Sequence, residues 1–163
     1  MVEMPKISLL LHNIRSTHNV GSIFRTAEGF GVEKIILTGY TPFPAYAGDP
    51  RLPHLAQKIT KQIEKTALGA SSSVPFEYHD NLLTWLDSNT LPLVALEQDP
   101  HSHNLADFTP PNEFVLVLGE EVDGIPAELL TRCEAIVEIP MKGAKESFNV
   151  SVAAGIALFS LQS

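Results

Sequence analysis

Three times along this chain a short apolar run breaks into a polar, glycine-bearing turn and then into a stretch of helical spacing. The runs are "ISLLL", "FVLVL" and "AIVEI", and the turns that follow open "HNIRSTHNVG", "GEEVDGIP" and "PMKGAKESFN". Apolar runs of this length without alternation belong to strands buried on both faces, and such strands sit in parallel sheets whose crossovers are helices. The chain therefore reads as α/β, a mostly parallel sheet with helices on both faces. Strands are expected near 6–11, 34–38, 74–78, 92–97, 114–119 and 135–139. Helices are expected near 19–30, 53–68, 80–88, 126–132 and 149–162. The last of these, "NVSVAAGIALFSLQ", is apolar almost all round, which calls for burial on most sides or a subunit interface. "TGYTPFPAYAGDPRLP" is too rich in Pro, Gly and aromatic residues for a helix and long enough to be a functional loop.

At 163 residues and 44% hydrophobic content the chain can bury one substantial core, and a single domain over residues 1–163 is expected. No apolar run approaches the roughly 18 residues of a membrane span. "MVEMPKIS" has no apolar segment before a cleavage site, so no secretory signal is expected. A single cysteine, Cys133, has no partner within the chain and fits a reducing compartment, giving a cytoplasmic expectation. In "AELLTRCEA" it reads as a small core residue rather than a nucleophile.

The net charge of −8 argues against indiscriminate nucleic-acid binding, yet the charge is unevenly spread. Residues 1–65 hold 8 Lys or Arg against 5 Asp or Glu, whereas residues 66–131 hold none against 11. A face that meets a polyanion must come from the N-terminal third, with Lys142 and Lys145 as possible additions.

Each strand-end turn carries its own chemistry. In "NIRSTHNVGSIFRTAEGFG", Asn19 is expected at or near a helix N-cap, with Gly29 or Gly31 closing the helix and Arg15 and Arg25 flanking its start. Backbone N–H groups with Arg15 beside them suit a phosphate, and a capped helix with a surface arginine is the plainer alternative. In "GEEVDGIP", Glu120, Glu121 and Asp123 suit a cation, a ribose hydroxyl or an arginine, and Pro126 opens a helix. In "MKGAKESFN", Ser147 and Asn149 fall near the start of the last helix. Ligands in open parallel sheets bind beyond the carboxyl ends of strands, so these junctions can line one cleft.

Together "NIRSTHNVGSIFRTAEGFG", "LVLGEEVDGIP" and "IPMKGAKESFNVSVAAGIAL", with "KTALGA" at 65–70, resemble the ordered motifs of the SpoU or TrmH family of RNA ribose 2′-O-methyltransferases, within the SPOUT superfamily. The resemblance runs from residue 7 to 159. It implies a C-terminal segment threaded into a trefoil knot, with S-adenosylmethionine bound there. It further implies a homodimer packed through the knotted region and the first helix, an RNA substrate (tRNA or rRNA), no metal, and no separate RNA-binding extension.

Carried over by position, the resemblance assigns Asn19, Arg25, Glu121, Ser147 and Asn149 to catalysis. It assigns Leu96, Gly119, Ile139, Met141, Ser147 and Phe148 to the cofactor, and Arg15, Arg25, Lys142 and Lys145 to RNA. Phe148 stands where Leu is common in the family, Glu120 where Asn or a small residue is common, and Val122 where Gly is common. A guanidinium keeps its proton and donates hydrogen bonds, so Arg25 is expected to stabilise the developing alkoxide, oriented by Glu121. "HSH" at 101–103 lacks further ligands for a metal. Two readings compete with the enzyme: a knotted RNA-binding relative without turnover, and a Rossmann-type nucleotide enzyme. "GEEVDG" speaks against the second, because it lacks G-x-G-x-x-G and puts carboxylates where a pyrophosphate would lie.

Overall fold

The computed structural model describes residues 3–163. Its strands are β1 (Lys6–His12), β2 (Ile35–Thr38), β3 (Phe76–His79), β4 (Leu93–Leu96), β5 (His103–Asn104), β6 (Glu113–Leu118) and β7 (Ala135–Glu138). The helices are α1 (Thr17–Gly29), α2 (Pro53–Ala67), α3 (Ala70–Ser73), α4 (Leu82–Ser88), α5 (Ala127–Leu130) and α6 (Val150–Leu161), with a single 3-10 turn at Leu105–Asp107. The seven strands form one sheet in the order β3-β2-β1-β6-β4-β7-β5, and every pairing is parallel. Among the described residues no helix is long and apolar enough to cross a membrane.

The central strands explain the uninterrupted apolar runs. On β1, Ile7, Leu9 and Leu11 point into a layer shared with α1, α2 and α6, while Leu10 points into a second layer with Trp85 and Leu86 of α4 and Leu129 of α5. Strand β6 divides in the same way, Phe114, Leu116 and Leu118 on one face and Val115 and Val117 on the other. All of these side chains are essentially sealed from water, and each fully buried Leu, Ile or Phe contributes roughly 1.5–3 kcal/mol.

Helix boundaries shift where capping chemistry outweighs the apolar pattern. The first helix begins at Thr17 rather than at Asn19, because Ser16 is the cap: its Oγ accepts the Asn19 N–H at 3.1 Å. Pro126 caps α5 instead of opening it, and α5 is only four residues long. Strand β5 and helix α3 carry too few apolar residues to register in a hydrophobic pattern. Helix α6 buries Ala154, Ala157, Leu158 and Leu161 but leaves Val152, Ile156 and Phe159 exposed.

The loop after β2 is held by an aromatic pile. Phe43 stacks on Tyr78 with centroids 3.8 Å apart, and the Arg51 guanidinium lies over the Phe43 ring, 3.6 Å from its centroid. Arg51 also binds Asp49 through Nε and Nη2 and donates to the Phe43 carbonyl. The arginine holds the Asp49 carboxyl down to about 2.

Helices α1 and α2 approach backbone to backbone at Gly21. A Cβ there would overlap the Ile63 carbonyl oxygen and Thr66 Oγ1, and Thr66 Oγ1 donates to the His18 carbonyl at 2.8 Å. Gly21→Ala is expected to push the helices apart and destabilise the fold by about 1–3 kcal/mol, read from the midpoint of urea unfolding.

Candidate active site

The carboxyl ends of β4, β6 and β7 open onto a cleft of about 620 Å³. Its walls come from Leu96–Asp99, Leu118–Ile125, Glu138–Ile139 and Glu146–Val150. Two of the three strand-end turns picked out by the sequence, those after β6 and β7, line this cleft together with the turn after β4. The turn after β1 lines none of it and reaches it through Asn19 on Asn149 and Arg15 on Glu120 and Glu121.

The turn after β6 is built on its own carboxylates. The Glu120 side chain is only 6% exposed, and its Oε2 accepts the N–H of Val122 at 2.9 Å and that of Asp123. Arg15 Nε lies 3.2 Å from Glu120 Oε1 in an ion pair that is not aligned as a hydrogen bond. The Arg15 main-chain N–H donates to Glu121 Oε1 at 2.9 Å. Glu97, at the end of β4, accepts the Ile125 N–H at 2.8 Å through Oε2. Gly119 admits this arrangement, since a Cβ there would come within 2.7 Å of Gly124 and Ile125 backbone. Of the partners an acidic turn suits, an arginine is the one this chain supplies.

The first and third turns meet in a single side-chain amide. Asn149 caps α6, its Oδ1 accepting Ser151 N–H at 3.0 Å and Val152 N–H at 3.4 Å. Its Nδ2 donates to Asn19 Oδ1 at 3.2 Å, across 130 residues of sequence. Asn19, misplaced as a cap, is therefore a polar contact between α1 and α6.

Of the expected site residues, Leu96, Gly119, Glu121, Ile139, Ser147, Phe148 and Asn149 line the cleft. Met141 does not, because the chain turns away after Ile139 and returns only at Glu146. Lys142 and Lys145 lie exposed on that excursion, and Arg15 stands exposed on the rim through its bond to Glu120. Arg25 is exposed on α1 and absent from the lining, and among the described residues it enters no ion pair. Glu121 does not orient Arg25 in the single chain: its carboxylate is taken by the Arg15 N–H. His101 and His103 are exposed, and among the described residues no group of His, Cys, Asp and Glu is arranged to hold a metal. Burial raises the Cys133 thiol to about 11, which suits a packing residue.

Two residues of the site were not singled out from the sequence. Tyr40 is 54% exposed, donates its N–H to Asn13 Oδ1 at 3.0 Å, and through its side chain, with the Glu120 charge, raises the pKa of Arg15. Glu97 braces the acidic turn. Both follow the last residues of a strand, the position that flagged the other site residues.

His12, at the end of β1, is buried with Nδ1 2.9 Å from Thr38 Oγ1. Burial lowers its pKa below 6.5, and the charge of Glu128 opposes the shift in part. As pH falls below about 6.5 the unfolded chain takes this proton before the folded one, so stability present above that pH is lost on the way down. Urea unfolding at pH 5 to 7 should show this slope, and His12→Asn should flatten it. Asn149→Ala is expected to cost about 1 kcal/mol through loss of the cap, whereas Asn149→Asp keeps the cap, with a charge that favours the helix N-terminus, and replaces the donor to Asn19 by an acceptor; thermal unfolding of the two variants is expected to show the smaller loss for Asn149→Asp.

Residues 6–159 match the model of the SpoU rRNA Methylase family. The chain is 32% identical to the 23S rRNA (guanosine-2'-O-)-methyltransferase RlmB of Coxiella burnetii, over 98% of this chain and 59% of that protein. It is 33% identical to the enzyme of the same name from Nitrosomonas europaea, over 95% of this chain and 55% of that protein. The chain thus spans little more than half the length of these curated relatives. An AdoMet-bound rRNA methyltransferase from Sinorhizobium meliloti superimposes with a TM-score of 0.79 at 25% identity, covering 98% of this chain and 56% of that one.

Proposed function

The chain belongs to the SpoU rRNA methylase family, and from that premise we propose that it transfers a methyl group from S-adenosylmethionine to a ribose 2′-hydroxyl of RNA. The observation that carries this reading is that the second and third motif turns line one cleft, to which the first is tied by the Asn149–Asn19 hydrogen bond. Ribosomal RNA is the substrate class in the names of the relatives, and it is the first to test, with tRNA second.

The cleft fits the donor by size and by chemistry. A volume of about 620 Å³ lies within the usual range for small-molecule sites. Leu96, Ile139 and Phe148 offer apolar walls to an adenine ring, Gly119 and Ser147 offer close backbone and a hydroxyl, and the lining carboxylates suit cationic groups. When bound, the donor supplies an electrophilic methyl group on a sulfonium.

The chain's own residues would position the acceptor. Asn149 and Asn19 fix the start of α6, which borders the cleft, against α1. The Arg25 guanidinium would donate hydrogen bonds to the 2′-oxygen as that oxygen's proton passes to water, an electrostatic role of the oxyanion-hole kind. The cleft lining itself contains no Lys or Arg.

A homodimer answers that lack. Val152, Ile156 and Phe159 recur at i, i+4 and i+7 on α6, 51%, 38% and 68% exposed, beside the α1 helix that carries Arg25. Pairing through this face would bury the stripe, and the partner's Arg25 would supply the missing cation. The return of the chain from β7, on the far side of β4, to place α6 against α1 supports the trefoil knot expected of the family. A cytoplasmic location is part of the same reading.

Purified protein given labelled S-adenosylmethionine and separated rRNA and tRNA fractions should label one of them, and mapping of 2′-O-methyl positions should identify the nucleotide. A non-catalytic RNA binder would transfer no label. Arg25→Ala is expected to lower methyl transfer by at least 10²-fold while leaving donor affinity nearly intact. Loss of donor binding instead would remove Arg25 from its assigned role.

A further inference from the structure

Helix α2 carries a charge pattern that the cleft does not use. His54, Lys58, Lys61 and Lys65 follow one another at spacings of four, three and four, which puts them on one stripe with about one group per turn. All four are exposed. The residues that bury α2, Ala56, Ile63 and Ala67, lie on the opposite side of the helix, so the stripe faces straight out to solvent. It spans roughly 16 Å.

Among the described residues no carboxylate neutralises this stripe. Lys58, Lys61 and Lys65 enter no ion pair among the described residues. Arg15, Lys34, Arg51 and Arg132, by contrast, are each matched with a carboxylate. The one acidic residue of α2, Glu64, is turned to the C-terminal end of the helix, where it accepts from the Gly69 N–H and from Ser71 Oγ. In a chain of net charge −8 a single-sign cationic row of this kind is a local exception.

The stripe is also rigidly referenced to the cleft. Thr66 Oγ1 donates to the His18 carbonyl, Gly21 packs against Ile63 and Thr66, and Asn19, next to His18, bonds the cleft residue Asn149. Helix α2 packs on α1, which also carries α6, so the stripe and the apolar α6 face share one helix as their common support. Thr60 Oγ1 accepts the Ala45 N–H at 2.8 Å, which ties the loop after β2 to the same helix.

We propose that the His54–Lys58–Lys61–Lys65 stripe of α2 is the docking surface for the phosphate backbone of the RNA substrate, set apart from the cleft where the target ribose reacts. This rests on the RNA-methyltransferase reading above and adds where the rest of the strand lies. Contact through phosphates releases counterions and reads no base, so the stripe orients RNA without choosing its sequence.

The test compares the wild-type protein with K58Q/K61Q/K65Q in filter binding to bulk rRNA and bulk tRNA at 50 to 300 mM salt. The glutamines are expected to weaken RNA binding on the order of 10²-fold near 100 mM salt and to reduce the slope of log affinity against log salt by about 2. S-adenosylmethionine affinity and thermal unfolding should stay at the wild-type level. The K58R/K61R/K65R variant should restore both affinity and slope. An unchanged slope in the glutamine variant, with wild-type methyl transfer to RNA intact, overturns the docking surface and leaves the enzyme reading standing. Unchanged RNA binding together with lost binding to phosphatidylserine vesicles also overturns it, in favour of a membrane surface. Absence of both RNA binding and methyl transfer in the wild-type protein would sink the enzyme reading itself.

Discussion

One side-chain amide joins the two ends of this chain. Asn149 offers its oxygen to the first turn of α6 and its nitrogen to Asn19 on α1, so the entry to the last helix and the start of the first are set by the same planar group. Rotating the amide to improve one contact would spoil the other. A carboxylate lacks the donor, and a hydroxyl cannot hold acceptor and donor apart on one rigid plane as the amide does. The cleft is therefore defined by how α6 meets α1 as much as by the sheet beneath it.

The acidic turn after β6 follows a related economy. A nine-tenths buried carboxylate such as Glu120 needs hydrogen bonds and a counter-charge, and it obtains both: N–H groups from its own turn and the guanidinium of Arg15 from the turn after β1. Glu121 takes the Arg15 main chain as well. An arginine in the first turn of an acidic protein is thus partly structural, since it latches two strand ends that are adjacent in the sheet. Tyr40 flanks the same guanidinium from the turn after β2 and completes a rim assembled from three consecutive junctions of the sheet.

The parts of this fold that could be read beforehand were those governed by burial. Strands β1 and β6 announce themselves because both of their faces are sealed, and the spacing of α2 separates its buried residues from its lysines. The misreadings have local causes. Ser16 and Asn19 are both good caps, and only the geometry of the turn decides that Ser16 does it. His103–Asn104 pairs with β7 through backbone alone, with exposed side chains that carry no strand signature. The motif resemblance brought Met141 and Arg25 to the site, yet it cannot say which side chains reach a cavity within one chain. Such reach depends on where a connecting segment turns and on what a second protomer contributes.

The pile of Arg51, Phe43 and Tyr78 has a thermodynamic corollary. An excursion rich in proline and glycine would ordinarily sample many shapes, and a partner that bound it would have to freeze them out. Here the guanidinium, two rings and the Asp49 carboxylate hold the segment between β2 and α2 before any partner arrives. Association at the neighbouring rim then meets a surface whose disorder was already removed during folding, and little of the contact energy is consumed in ordering it.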